Sequence, residues 1–318
     1  MRIIYEPGFN FGIYGIKKRW HPFDTQKYRR AWKRIRVYRP ELTERRIRVT
    51  GEVAEDDLRL VHDPDYLASL ADRRTVSRIV EVPQLAGLPA WLIDRVVLRP
   101  MRMQTAGTIA AARAALSEGF VFHVGGGFHH AKPASGEGFC CYADEAVAVA
   151  VLRRDGLLQA DDRIVCVDLD VHMGNGVAHC FADDRRAFLF DMFNSRIYPA
   201  LDVSAHARLD CPIPVKSGCT GEAYLGLLRE RLPPFLDSVG KSAPIRLAIY
   251  NAGTDVYIDD LLGGLQCSTD EVLERDMYVV EQLRSRGIPT VLVAGGGYSE
   301  MCHRLIARSA TEAAARGF

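Results

Sequence analysis

The run Asp168-Leu-Asp170-Val-His172, placed directly after the apolar stretch Arg163-Ile-Val-Cys-Val, constrains this chain more than any other feature. A short unbroken apolar run reads as a strand of a parallel sheet covered on both faces. Polar residues at every second position then project to one side of an extended backbone. Two carboxylates and an imidazole are thereby delivered to the carboxyl edge of a sheet, where open α/β sheets build their sites. Such a group can hold a zinc ion.

A catalytic zinc keeps about three protein ligands and one open position, so a further ligand is expected from another strand end. Asp255 is the candidate, because it closes the segment Tyr250-Asn-Ala-Gly-Thr-Asp255 directly after the apolar run Ile245-Arg-Leu-Ala-Ile-Tyr. Two anionic ligands leave the ion a moderate Lewis acid that gains from a neighbouring base. His129 and His130, at the mouth of Gly125-Gly-Gly, can supply it. A further apolar run, Thr290-Val-Leu-Val-Ala, leads into Gly295-Gly-Gly-Tyr298, and a phenol delivered there can donate to a forming oxyanion. Any one of these residues alone would more often be a cap or turn residue. Their recurrence at four strand ends carries the argument.

From Phe120-Val-Phe-His-Val onward, strand and helix patterns alternate, with a buried helix starting at Asp144. This predicts a doubly wound, mostly parallel α/β sheet flanked by helices. At 318 residues the chain is long for one domain, but no linker interrupts it, so residues 1–318 are expected to form a single domain. Upstream, helices are expected over residues 24–38, in short segments over 55–62 and 65–70, and over 94–116 with an interruption at Pro100.

Hydrophobic content of 48% and charged content of 25% suit a soluble globular protein. The eight cysteines include no Cys-x-x-Cys pair, which argues against a disulfide scaffold or zinc ribbon and for buried thiols in a reducing compartment. A thiol nucleophile at Cys140 has no task beside a metal. No basic-then-apolar leader opens the chain and no apolar run reaches about 18 residues, so a cytosolic protein without a transmembrane segment is expected. The first fifty residues hold fourteen Lys and Arg against four Asp and Glu, a balance that invites a nucleic-acid reading. Tyr28, Trp32 and Ile35 fall at helical spacing, however, which turns the aromatics to the core and the basic residues to water. Nucleic-acid contact is therefore not expected. The glycine run lacks the third glycine of a dinucleotide fingerprint, because position 130 is His, and no Gly-x-Ser-x-Gly elbow occurs. Of the other histidines, His62, His123, His179, His206 and His303 read as satisfied core or surface groups.

Gly126-Gly-Phe-His129-His130-Ala, Gly138-Phe139-Cys140, the segment from Asp168 to Gly176, Asn251-Ala-Gly-Thr-Asp255 and Gly296-Gly-Tyr298 together resemble the zinc-dependent histone deacetylase superfamily over nearly the whole chain. His21-Pro-Phe-Asp, Val97-Leu-Arg-Pro-Met-Arg-Met-Gln-Thr, Ile197-Tyr-Pro and Asp260-Leu-Leu-Gly-Gly-Leu are similar to its class IV branch. The resemblance implies an arginase/deacetylase-like fold and one Zn2+ held by Asp170, His172 and Asp255. It implies that Tyr298 stabilises the transition state, that His130 shuttles the proton, and that His129 is its electrostatic partner. Asp168 would stand behind His129 and Asn175 behind His130, where several class I members have Asp. An imidazole backed by an amide is expected to be less basic than one backed by a carboxylate.

Gly138 and Phe139 match one wall of a lysine tunnel, Tyr198 and Leu262 are candidates for others, and His21 for an inner wall. A structural K+ is implied at Asp168 and main-chain carbonyls, with Asp191 a further contributor. Lys27 stands where class I members carry an inner-channel Arg, and the segment 82–89 lacks their acidic rim residue. The implied reaction is hydrolysis of an acyl group from the ε-amine of lysine in a protein or peptide. A small acylated amine such as an acetylpolyamine is the alternative substrate. A non-catalytic acyl-lysine binder is disfavoured because every catalytic position is filled, and a binuclear manganese arginase-like enzyme by the His-His and Gly-Tyr motifs. Class IV members are associated with long fatty acyl groups, so long-chain acyl-lysine is expected to be preferred. The oligomeric state is not legible.

Overall fold

Continuously buried short strands need both faces of a sheet covered, and such strands form the centre of an eight-stranded sheet among the described residues. The computed structural model describes residues 1–12 and 22–318. Its strands are β1 (Arg2–Ile4), β2 (Arg46–Ile47), β3 (Phe120–His123), β4 (Arg163–Asp168), β5 (Ala187–Asn194), β6 (Cys211–Val215), β7 (Ile245–Asn251) and β8 (Thr290–Val293). They make one sheet in the order β2-β1-β3-β8-β7-β4-β5-β6, with every pairing parallel. Every residue of β3 and β8 is buried, as are all of β4 beyond Arg163. Parallel strands place all their carboxyl ends on one edge. The four strands whose ends carry the chemically suggestive residues, β3, β8, β7 and β4, are consecutive in that sheet. Loops more than a hundred residues apart therefore meet in one crevice.

Helices cover both faces. The helix Lys27–Tyr38 buries Tyr28, Ala31, Trp32 and Ile35 against the sheet and the helix Cys302–Ala315, while Arg29, Arg30 and Lys33 are exposed. It starts three residues later than its pattern suggests. The Asp24 carboxylate accepts from the Gln26 N–H, and the Asp24 carbonyl from the Lys27 N–H, a local turn that competes with helix. Pro100 does not interrupt its helix. Residues Asp94–Leu98 form a π turn in which the Arg99 N–H reaches the Asp94 carbonyl, and Pro100 falls in the first turn of Arg99–Glu118, where a missing N–H costs nothing. Small side chains at Ala111, Ala112 and Ala115 are fully buried on that helix, which packs against Asp144–Arg154. All eight cysteines are free, and six are buried. No described helix is long and apolar enough to cross a membrane.

Candidate active site

Beyond β4 the extended backbone ends at Asp168, and the chain curls rather than running straight. Asp168 Oδ1 accepts the Asp170 N–H at 3.0 Å and Asp170 Oδ1 the His172 N–H at 3.0 Å, short side-chain bonds by which Asp displaces regular structure. The three polar groups consequently part company. Asp168 turns to His129, while Asp170, His172 and Asp255 close on one another, with one ligand atom from each within 4.8 Å of the others. His172 Nδ1 lies 3.0 Å from Asp170 Oδ1 and 3.3 Å from Asp255 Oδ2.

Asp255 arrives from the loop after β7. Its Oδ1 accepts the Val171 N–H at 2.9 Å, and its Oδ2 is buried without a hydrogen-bond partner. A buried, unsatisfied carboxylate oxygen is costly; here it faces an imidazole and a second carboxylate, a donor set that fits zinc. The β8 loop closes the cluster, because the Gly296 N–H donates to Asp170 Oδ2 at 2.9 Å. A Cβ on Gly296 would collide with both carboxylates, so only glycine permits that approach.

Burial and the adjacent Asp170 push the Asp255 carboxyl up to about 7. At His172 burial works against the charged form, but Asp170 and Asp255 lift the imidazole to about 10. Protons and a metal ion would thus compete for the same atoms. Zinc affinity is expected to rise with pH through about 7 as Asp255 ionises, measured by competition with a chromogenic chelator. An affinity independent of pH there would show that Asp255 holds no metal.

The tandem histidines differ in their backing. His129 Nδ1 is 2.7 Å from Asp168 Oδ2, and His130 Nδ1 is 2.7 Å from Asn175 Oδ1. Burial disfavours the imidazolium at both. At His129 the Asp168 and Asp170 carboxylates outweigh burial and raise the pKa well above the usual value. At His130 burial is reinforced by the charges of His129 and His172, and the pKa falls well below it. The pair is split into one cation and one neutral base, the pattern of an acid and a base at one pH. The direction at His130 agrees with the sequence reading, but the cause differs, since the bond to Asn175 opposes the lowering. Burial, with Asp170 and Asp255 nearby, keeps the Tyr298 phenol well above its ordinary range and therefore protonated. Burial likewise raises the Cys140 thiol well above its usual range, which leaves it a poor nucleophile.

Phe139 stands at φ 64° and stacks on Phe23, with centroids 4.4 Å apart. Phe23 also meets the Tyr298 ring edge-on at 6.3 Å. Sequence reasoning did not single out Phe23, because one aromatic in a loop carries no periodic signal. Gly138 has φ 53°, and a Cβ there would strike the His130 ring. These residues, with His129, His130, Asp170 and Tyr298, line a cavity of about 30 Å³.

Tyr198 packs edge-on against His130 at 5.1 Å and is 44% exposed, placing it at the outer end; Leu262 is 41% exposed. Asp260 sets the Leu262 loop. Its Oδ1 accepts from the Leu262 and Gly263 N–H groups and its Oδ2 from those of Tyr298 and Ser299. It ties together two loops of the site, a role its place in a motif did not disclose.

Lys27 is fully buried, donates from Nζ to the Gly295 carbonyl at 2.7 Å and lies near the Phe23 and Tyr28 rings. Its amine is anchored to the β8 loop through that carbonyl. His21 lies outside the described residues. The segment 82–89 indeed has no acid, yet Glu81 just before it is exposed, holds φ 56° and acts electrostatically on the Tyr198 phenol. Its carboxylate thus lies near enough to influence Tyr198, on a backbone conformation that non-glycine residues seldom adopt.

Residues 21–314 match the histone deacetylase domain. Histone deacetylase 2 of Arabidopsis thaliana is 38% identical over 309 residues, which cover 96% of this chain and 77% of that protein. The acetoin utilization protein AcuC of Staphylococcus xylosus is 23% identical over 263 residues, covering 77% of this chain and 65% of that protein. In fold, the crystal structure of the HDA15 HD domain matches with a TM-score of 0.74 at 17% identity, over 98% of this chain and 86% of that one. With the parallel sheet and its convergent loops, these similarities establish that the chain belongs to the histone deacetylase family of hydrolases and has the arginase/deacetylase fold.

Proposed function

We propose that this chain is a zinc-dependent amidohydrolase that removes acyl groups from the ε-amine of lysine, acting as one catalytic domain over residues 1–318 in the cytoplasm. The observation that carries this reading is the placement of His130, which lines one cavity with Asp170 and Tyr298 and whose ring centroid lies 5.9 Å from that of His172, a member with Asp170 and Asp255 of one buried cluster. One Zn2+ held by those three side chains would supply Lewis acidity for the amide carbonyl and for the attacking water. His130, engaged through Nδ1 by Asn175, accepts the water proton at Nε2 and returns it to the leaving amine. His129, cationic against Asp168, adds positive potential, and Tyr298 donates its O–H to the oxyanion.

Gly138, Phe139, Tyr198 and Leu262 bound the lysine stem. A structural K+ is assigned to Asp168 with main-chain carbonyls and to Asp191, whose buried Oδ1 has no hydrogen-bond partner. The motifs around His21 and Asp260 support the class IV branch.

On acyl length, the cavity favours a reading opposite to the one drawn from that branch. Its volume is about 30 Å³. So small a space favours an acetyl group over a fatty chain, which needs many times that volume. The Glu81 carboxylate suits either the N–H groups of a peptide or the ammonium of a polyamine, so both classes belong in the test. Release of free acid is measured from acetyl-lysine and long-chain acyl-lysine on one peptide and from acetylpolyamines, with and without chelator. The acetyl-lysine peptide is expected to lead in kcat/KM by about tenfold or more over the long chain, a difference of about 1.4 kcal/mol, and chelation to abolish turnover. Preference for the long chain would show that the cavity opens. Hydrolysis of acetylpolyamines alone would replace the lysine reading, and turnover surviving chelation would remove zinc from it.

A further inference from the structure

The carboxamide of Asn175 is fully buried between the proposed base and two carboxylates. Its Oδ1 faces His130 Nδ1 at 2.7 Å, while its Nδ2 donates to Glu137 Oε1 at 2.6 Å and to Asp202 Oδ2 at 3.2 Å. Lys132 Nζ lies 3.0 Å from each of those carboxylates, and His179 Nε2 lies 3.0 Å from Asp202. Lys132 counters the two negative charges. His179 thus belongs to a network one step from the base.

A carboxamide fills the same volume in two orientations, and the one it takes decides the state of a histidine bonded to it. When Oδ1 faces Nδ1, that nitrogen carries the proton and Nε2 keeps a lone pair. When Nδ2 faces Nδ1, the proton moves to Nε2, and a neutral imidazole can no longer accept one there. At position 175 the second orientation would turn the amide oxygen onto two carboxylates and forfeit two charge-assisted hydrogen bonds.

We infer that Glu137 and Asp202 are positioning residues that lock the Asn175 amide and thereby hold His130 in the Nδ1–H tautomer, with Nε2 free to act as a base. The inference rests on the proposed role of His130. It also accounts for a neutral side chain at 175, because an aspartate there would be a third carboxylate in contact with the first two. Glu137 lies between glycines in Ser135-Gly-Glu-Gly-Phe139 and Asp202 in a loop about sixty residues on, so only the folded chain brings them together.

The test replaces both carboxylates with amides, Glu137→Gln with Asp202→Asn, which donate to an oxygen as readily as they accept from an N–H. Either orientation of Asn175 is then satisfied. With the metal-loaded protein and the acetyl-lysine peptide, kcat is expected to fall by about twofold or more, following the fraction of molecules whose histidine is base-competent, with KM nearly unchanged. In protein labelled with 15N-histidine, the His130 signals, identified by their loss in His130→Gln, are expected to shift from the Nδ1–H pattern toward a mixture of tautomers. Adding Asn175→Asp to the double variant should restore kcat, because a carboxylate can only accept from Nδ1–H. The same change in the wild-type background should lower it.

Unchanged kcat in the double variant, an unchanged His130 15N pattern, or no rescue by Asn175→Asp would each overturn the inference. Glu137→Gln alone, on a partly exposed side chain, gives the same directions at smaller size if the double variant does not fold. The 15N readout needs no turnover. A wild type inactive on every acyl substrate would therefore sink the activity reading, while the tautomer lock was still decided by the spectra.

Discussion

Tyr298→Phe is expected to keep the fold and the metal and to lower kcat by about 10²-fold or more, the scale for losing one oxyanion donor. The loop that carries Tyr298 is held through its backbone, by the N–H bonds of Tyr298 and Ser299 to Asp260, so loss of the hydroxyl does not release it. A phenylalanine ring keeps the edge-on contacts with His172 at 5.9 Å and with Phe23 at 6.3 Å. What disappears is a protonated phenol in a site that Asp170 and Asp255 make hostile to phenolate. Its hydrogen bond strengthens only as charge develops on the carbonyl oxygen, so the defect falls on kcat and leaves KM nearly unchanged. Steady-state kinetics beside metal analysis check this. Turnover close to wild type would mean that Tyr298 points away from the reacting carbonyl and that another donor meets the oxyanion.

Asp255→Ala is expected to abolish stoichiometric metal binding, and turnover with it. Alanine also strips the acceptor from the buried Val171 N–H, at about 1–3 kcal/mol for an unsatisfied group, so loss of metal could be confused with loss of structure. Asp255→Asn separates the two, because an amide oxygen can still accept that bond while the second negative charge is gone. The sign of its effect on the metal-free protein follows from linkage. Burial and Asp170 raise the folded pKa of Asp255 to about 7 from the usual 3.8, so ionising it costs stability progressively as pH rises between those values. A neutral asparagine avoids that cost, and metal-free Asp255→Asn should melt higher than metal-free wild type at neutral pH while binding no zinc. Unchanged metal stoichiometry in either variant would remove Asp255 from the ligand set.

The strands after which the site residues fall were legible because burial on both faces writes itself into the chain as short unbroken apolar runs. Asp170, His172 and Asp255 could be named as one cluster, and the fold brings them together. The curl after Asp168 could not be read, because it depends on side chains bonding to the backbone two residues on, which alternation of polar and apolar residues does not encode. The helix entering at Lys27 departed from its pattern for the same kind of local reason, the Asp24 carboxylate accepting from the Gln26 N–H. Phe23, Glu81 and Asp260 were in view as letters and not as parts of the site. Each acts on a partner dozens to hundreds of positions away, and nothing periodic marks that relation.

The sequence by itself determined the class of fold, the strand ends that carry chemistry and the family, since all three rest on local periodicity and on residue types at fixed short spacing. Only the tertiary structure decided that β3, β8, β7 and β4 lie side by side, so that four separate loops share one crevice. It alone supplied the causes that set the tandem histidines apart, the Asp168 and Asp170 carboxylates that raise His129 against its burial, and burial with the charges of His129 and His172 that lowers His130. Those outcomes depend on burial and on charges brought within a few ångströms by the order of strands in the sheet, quantities that no stretch of chain contains until the sheet is assembled.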